Sequence, residues 1–223
     1  EERPEIERLQ IVDELVVAYV DRLADALADT ELPPRDWLVS ARPDWLFTHA
    51  NRLGRALARL PAGHRIVLFS VGIENFSARE LTFLHKGFGP DTARAVLDWI
   101  DAATARNENL VVEPSFGFLL FTPWTRLKDL ALNARALKET RFSRFREGVI
   151  HTRLRLYPEI ALYHRARAEG LLVADARTIG IDYGYGDADW RFKDPAVQRV
   201  HDAIAARGLG GDDIEGLARL VLE

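Results

Sequence analysis

The segment Arg65 to Gly87, RIVLFSVGIENFSARELTFLHKG, limits what this chain can fold into more than any other. It opens on Ile66 to Val71, a mostly apolar run of β-branched and aromatic residues, the composition of a strand buried on both faces. The pattern predicts a break at Gly72, after which Ile73, Glu74 and Asn75 bring two polar side chains to the strand's C-terminal end. Ser77 with Glu80 three residues on reads as a helix N-cap, so a helix follows towards His85, Lys86 and Gly87. The order is strand, polar rim, helix. In α/β folds the carboxyl ends of the strands are where ligands are held.

The same unit recurs along the chain. Leu9 to Val12 reads as a buried strand, with helix as the rival reading, and Val17, Val20, Leu23, Ala24 and Leu27 recur at helical spacing until Pro33 and Pro34 stop them. Trp37 to Ala41 is the next strand, ending in Arg42-Pro43-Asp44. Leu46, Ala50, Leu53, Leu57 and Leu60 then mark a helix that ends at Pro61. Beyond the central unit come a helix from Pro90 to Arg106 and strand segments at Leu110 to Val112 and Ser115 to Thr122, interrupted near Pro114. A helix over Arg126 to Lys138, with Thr125 as its cap, is followed by an alternating strand from Val149 to Tyr157 and a helix from Pro158 to Gly170.

About five strand–helix units imply an α/β fold, a partial (open) TIM-like β/α barrel with a mainly parallel sheet over 1–172. A C-terminal extension over 173–223 joins the Gly- and Tyr-rich loop Tyr183-Gly184-Tyr185-Gly186-Asp187 to two helices.

Composition narrows the chemistry. The 223 residues include no Cys and no Met, so the chain alone supplies no disulfide, no thiolate nucleophile and no thiolate for zinc or an iron–sulfur cluster. The lack of Met and the abrupt start Glu-Glu-Arg-Pro suggest a piece of a longer polypeptide. No secretory or membrane-spanning pattern is visible, which points to a cytoplasmic protein. A net charge of -4 gives no general attraction to nucleic acid, although Arg135 to Glu169 carries nine basic against four acidic residues. His49, His85, His151, His164 and His201 have no metal-ligand spacing, and neither a serine triad nor a phosphate-binding glycine loop is present.

Gly72-Ile73-Glu74-Asn75 with His85-Lys86-Gly87 resembles the middle of the radical S-adenosylmethionine (SAM) superfamily, especially the branch that often carries an upstream cobalamin-binding domain. That pattern is Gly-Ile-Glu with a small polar residue, then a helix closing on Asn-Lys-Gly; here Asn75 stands where Ser is usual and His85 where Asn is usual. Phe118 to Pro123 with Thr125 and Asp129-Leu130 is similar to the family's fifth strand. Leu154 to Pro158 with Ala161-Leu162-Tyr163 and Gly170-Leu171 is similar to its sixth. Asp13-Glu14 and Arg42-Pro43-Asp44 fall at its second and third strand ends. The likeness runs from Leu9 to Leu172 and omits the first strand, whose Cys-x3-Cys-x2-Cys loop holds a [4Fe–4S] cluster in the family.

The resemblance implies that the chain binds SAM for 5′-deoxyadenosyl-radical chemistry, with a [4Fe–4S] cluster supplied by missing N-terminal sequence and cobalamin bound by an upstream domain of the same polypeptide. On this reading Glu74 and Asn75 accept from ribose hydroxyls or the methionyl ammonium, Lys86 or Arg42 pairs with the methionyl carboxylate, and Gly117 with the Phe118 to Phe121 backbone packs against adenine. Asp13 stands at the same rim. Plainer readings stay open: Glu74 and Lys86 as a surface ion pair, Arg42 and Asp44 as a loop salt bridge, and Asp13-Glu14 as a solvated turn. Two other functions also stay open, a cluster-less barrel acting as a ligand-binding or scaffolding module, and an RNA-modifying enzyme using Arg141 to Arg167. The substrate, small molecule or peptide, is not legible.

Overall fold

The longest strand, β3 (Arg65–Glu74), lies inside a parallel sheet because its residues leave it no exposed apolar face: Ile66, Val67, Leu68, Val71 and Ile73 are all buried. The computed structural model describes residues 6–13, 15–173, 177–178 and 186–222. The strands before β3 are β1 (Arg8–Ile11) and β2 (Asp36–Ala41), and those after it are β4 (Leu110–Val112) and β5 (Gly117–Phe118). They run in spatial order β1-β2-β3-β4, all parallel, with β5 also paired to β3. Strand order that follows chain order without reversal is the winding of a β/α barrel rather than of a doubly wound sheet. The sheet is open, so the architecture is that of a partial TIM-like barrel.

Helices supply the crossovers. α1 (Val20–Ala28) joins β1 to β2 and α2 (Pro43–Leu57) joins β2 to β3. α3 (Ala78–Phe83) and α4 (Pro90–Thr104) lead from β3 to β4. α1 packs on α2 and α2 on α4, through faces that bury Ala24 and Leu27, Leu46 and Leu53, and Val96, Leu97 and Ile100. Pro43 and Pro90 each sit in a helix's first turn, where a missing N–H leaves no broken bond.

The chain divides into two compact units, one of 1–118 with 139–147 and one of 119–138 with 148–223. Aromatic rings return 139–147 to the first unit. Phe142 lies 4.9 Å from Phe118 and 5.7 Å from Phe76, ring centre to ring centre, and Phe145 lies 5.4 Å from Phe116. Such pairs add roughly 0.5–1.5 kcal/mol each beyond their burial.

The second unit holds most of α5 (Leu127–Glu139), then α6 (Ala161–Ala168), the short antiparallel pair β6 (Arg177–Thr178) and β7 (Gly186–Asp187), α7 (Pro195–Ala206) and α8 (Ile214–Leu222). The last two are the expected C-terminal helices, with Asp194 capping α7 through the Ala196 N–H. Tyr183 to Tyr185 of the Gly- and Tyr-rich loop lie outside the described residues.

Four local expectations are corrected. β3 does not break at Gly72 but continues to Glu74, with an irregular register against β5 between those residues. The predicted strand Ser115 to Thr122 is reduced to Gly117–Phe118 with isolated bridges at Ser115 and Phe121, and Thr122 to Thr125 close into a turn in which the Thr125 hydroxyl accepts from the Thr122 N–H at 2.8 Å. That bond also diverts Thr125 from capping α5. The Asp129 and Asp194 carboxylates accept from Arg126 and Leu127 N–H instead, at 3.2 Å each.

Val149 to Tyr157 is not a strand. Val149–His151 is a 3-10 turn after the left-handed Gly148, and one parallel bridge, Phe121 to Arg153, is all the pairing the segment makes among the described residues. Its alternation survives as burial of Ile150 and Leu156 against exposed His151 and Arg155, which is why the sequence reads as a strand.

Candidate ligand-binding site

β2 and β3 end side by side, with Ser40 in register with Ser70 and Ala41 with Val71. Alternation along β3 puts Ser70 and Gly72 on one face and leads to Glu74 at the strand's last position. Glu74 has φ +64°, a left-handed conformation that costs a non-glycine residue roughly 1–2 kcal/mol. This backbone turn folds its carboxylate back over the strand. A Cβ on Gly72 would lie 2.9 Å from Glu74 Oε1, and a Cβ on Gly117 would lie 3.2 Å from Gly72 Cα and 3.5 Å from the same oxygen. Two glycines on adjacent strands thus form a floor without side chains beneath one carboxylate.

The opposite charge comes from the turn after α3. His85 and Gly87 both have positive φ, 53° and 77°, and between them Lys86 reaches back so that its Nζ donates to Glu74 Oε1 at 2.9 Å. Arg42, the N-cap residue of α2, spreads its guanidinium onto Asp44, Nε to Oδ1 at 3.1 Å and Nη2 to Oδ2 at 3.0 Å. Nη2 also donates to the Lys86 carbonyl at 2.7 Å.

Ser40, Ala41, Arg42, Pro43, Ser70, Gly72, Glu74, Lys86 and Phe88 enclose a cavity of about 170 Å³. That volume admits an amino-acid-sized or ribose-sized group rather than a whole nucleoside, and the lining offers it a carboxylate, an ammonium, a guanidinium and two hydroxyls.

Of the residues singled out in the sequence, Arg42, Glu74, Lys86 and Gly117 therefore come together. Asn75 adjoins them but is fully buried, and its Oδ1 accepts from the Ser77 N–H at 2.8 Å, so it fixes the turn into α3. Ser77 caps that helix through the Glu80 N–H. Asp13 follows β1 at the same end of the sheet without lining the cavity. Its carboxylate accepts from the Tyr19 hydroxyl and from the Leu15 N–H, and these bonds hold it below the usual aspartate pKa. Glu14 lies outside the described residues.

Phe121 belongs to the second unit. Its N–H and C=O are engaged by Thr152 and Leu154, and its ring packs edge-on to Phe192 and His201. Burial, with Arg153 adding to it, pushes the His201 pKa down.

The sequence reading missed Ser40, Ser70 and Phe88. A hydroxyl interrupting an otherwise apolar strand two residues before Arg42 or Gly72 was the signal available for the two serines.

Elsewhere the charged groups serve packing. Glu169 accepts from Lys193, Arg165 and the Trp124 ring N–H at 2.8, 2.9 and 3.0 Å, which pushes its pKa down to about 2. Arg144 pairs with Asp101 at 2.8 Å, and the Arg153 guanidinium lies 4.3 Å from the Trp190 ring centre. Among the described residues no group of three His, Asp or Glu side chains could hold a metal ion, and no helix is long and apolar enough to cross a membrane.

No family model matches the sequence, and no curated protein matches it. Solved structures do match by fold. The chain superposes on the cobalamin-dependent S-adenosylmethionine radical enzyme OxsB with aqua-cobalamin bound at a TM-score of 0.63 and 14% identity. It superposes on the apo, selenomethionine-labelled form at 0.64 and 13%, and on the form with both aqua-cobalamin and S-adenosylmethionine bound at 0.62 and 12%. Each comparison covers 90% of this chain, which spans about a third of the length of those enzymes. At such identities the likeness is one of fold: the chain has the fold of a region of a cobalamin-dependent radical SAM enzyme.

Proposed function

We propose that this chain is the SAM-binding part of a radical SAM enzyme. The observation that carries the reading is the Glu74–Lys86 pair over the glycine floor, at the carboxyl end of the central strand of a fold similar to a region of such enzymes. Glu74 accepts from ribose hydroxyls or from the methionyl ammonium, and Lys86 pairs with the methionyl carboxylate or holds the Glu74 carboxylate in place. Gly72 and Gly117 let the ligand approach the backbone without meeting a Cβ. Asn75 shapes the rim from beneath, and Asp13 belongs to the same end of the sheet.

When present, the cluster of such an enzyme supplies the electron that cleaves a carbon–sulfur bond of the sulfonium. With no Cys, this chain contributes no thiolate to it, so the ligands come from elsewhere in a longer polypeptide, as does any cobalamin-binding domain. The absence of Cys equally favours a second reading, in which the chain binds an adenosyl ligand without reductive chemistry.

Calorimetric titration with SAM tests the shared claim. Saturable one-site binding is expected, and Glu74→Gln should weaken it about tenfold, near 1.4 kcal/mol. An absence of binding, or equal affinity in the variant, would overturn it. Reductive SAM cleavage by the parent polypeptide then separates the two readings.

A further inference from the structure

The geometry points to Arg42 and Asp44 as positioning residues that hold Lys86 against Glu74, rather than Arg42 as a direct anion ligand. The inference rests on the ligand site proposed above and assigns its parts different work.

Asp44 lies in the first turn of α2, where the helix N-terminus favours a negative charge, so its carboxylate is an anchored acceptor. The guanidinium of Arg42 meets it with two hydrogen bonds, at 3.1 and 3.0 Å, and the same Nη2 donates at 2.7 Å to the carbonyl of Lys86. That carbonyl belongs to a turn that needs a tie, because His85 holds φ 53° without being glycine. On the α3 side the turn is held by the His85 N–H, which donates to the Thr82 carbonyl at 3.1 Å, and by the Lys86 N–H, which donates to the Leu81 carbonyl at 3.0 Å. Lys86 is therefore gripped at its N–H by α3 and at its carbonyl by Arg42, and only then does its Nζ reach Glu74 at 2.9 Å.

A chain of contacts, Asp44 to Arg42 to the Lys86 carbonyl to the Lys86 ammonium to Glu74, ties the start of α2 to the carboxylate at the end of β3.

Positioning and direct binding make opposite demands. A ligand carboxylate needs a positive charge at Arg42, which Lys would also supply, and removing the competing Asp44 charge would leave Arg42 more available to it. Tying the turn needs the planar fork, which Lys cannot reproduce, and needs Asp44 to aim it.

SAM affinity should therefore fall about fivefold or more in both Asp44→Asn and Arg42→Lys. In the protein without ligand, hydrogen exchange at the Lys86 amide should speed up about tenfold in both variants, with the β3 amides unchanged. Affinity in Asp44→Asn equal to or above that of the unaltered protein overturns the proposal, as does retention of affinity in Arg42→Lys or an unchanged Lys86 amide. If the unaltered protein binds no SAM, the proposed function falls, while the exchange result still decides whether Arg42 and Asp44 hold the turn.

Discussion

The two ends of the β1–β4 sheet are both lined by ion pairs, and the difference between them shows why size and charge alone do not mark a site. At the amino end, Glu7, Arg8, Arg35, Asp36 and Arg65, with Glu113 from just past the short β4, border a cavity of about 570 Å³, larger than the one around Glu74. Its charges cross strands that are in regular register there. Arg65 grips Asp36 through Nε and Nη2 at 2.6 and 2.7 Å, and Arg8 reaches Glu113. Arg8, Asp36 and Arg65 leave regular strand positions, and none of the six has positive φ. At the carboxyl end one carboxylate leaves a left-handed residue, over two glycines, with its partner lysine held between two further positive-φ residues. Strain of that kind persists only where surrounding contacts over-determine it, and it gathers at functional sites. The amino end is tied together, whereas the carboxyl end is arranged.

The largest expected effect comes from filling the floor. In Gly72→Ala the new methyl would lie 2.9 Å from Glu74 Oε1, the far end of a flexible side chain, so the carboxylate moves while the strand stays. SAM affinity should fall about tenfold or more, with Tm lowered by less than about 3 °C. Undiminished affinity would show that the glycine floor is packing and nothing else.

Next is Glu74→Gly, which removes the strain and the charge together. Stability should rise by about 1 kcal/mol, read as a higher midpoint in urea unfolding, while SAM affinity falls about tenfold. A destabilised variant would mean that the Lys86 ion pair outweighs the backbone strain, and the contrast between the two ends would weaken.

At the other end, Asp36→Asn gives up a paired bidentate contact whose carboxylate is 15% exposed and whose Arg65 partner is 50% exposed. Solvent screening keeps the expected loss near 0.5–1 kcal/mol, with SAM affinity unchanged. A fall in affinity would make the amino-end cavity part of the function.

How much of this was legible in the sequence follows from what kind of signal each feature has. The parallel core was readable because burial on both faces leaves an unbroken apolar run in β3, and the Ser77 cap because Ser and Glu at that spacing satisfy orphan amides locally. Glu74 and Lys86 were readable by position, one at a strand end and one at a helix end. The second unit was harder. Val149 to Tyr157 alternates as a strand does, yet the left-handed Gly148 starts a 3-10 turn and the segment makes a single bridge. Alternation reports which residues are buried and not what the backbone hydrogen-bonds to. Arg42 exposes the same limit in the site. The sequence allows Arg42 either a ligand contact or a salt bridge with Asp44, and it gives no sign of the third partner, the Lys86 carbonyl 44 residues on.

The smallest expected effect is at Asp13, which follows β1 at the same end as Glu74 but behaves as the charges at the other end do. Both carboxylate oxygens are used locally, by the Tyr19 hydroxyl and the Leu15 N–H, and those bonds lower its pKa. A depressed carboxyl stabilises the fold above the ordinary aspartate pKa and loses that contribution as pH falls through the lowered value. Asp13→Asn should therefore leave SAM affinity unchanged and narrow slightly the gap in stability between neutral and strongly acid pH, by less than Asp36→Asn changes stability at neutral pH. Thermal unfolding across that pH range, with SAM titration at neutral pH, checks both halves. A marked loss of affinity would extend the ligand site along the rim to β1 and give the carboxyl end a third carboxylate beside Glu74 and Asp44.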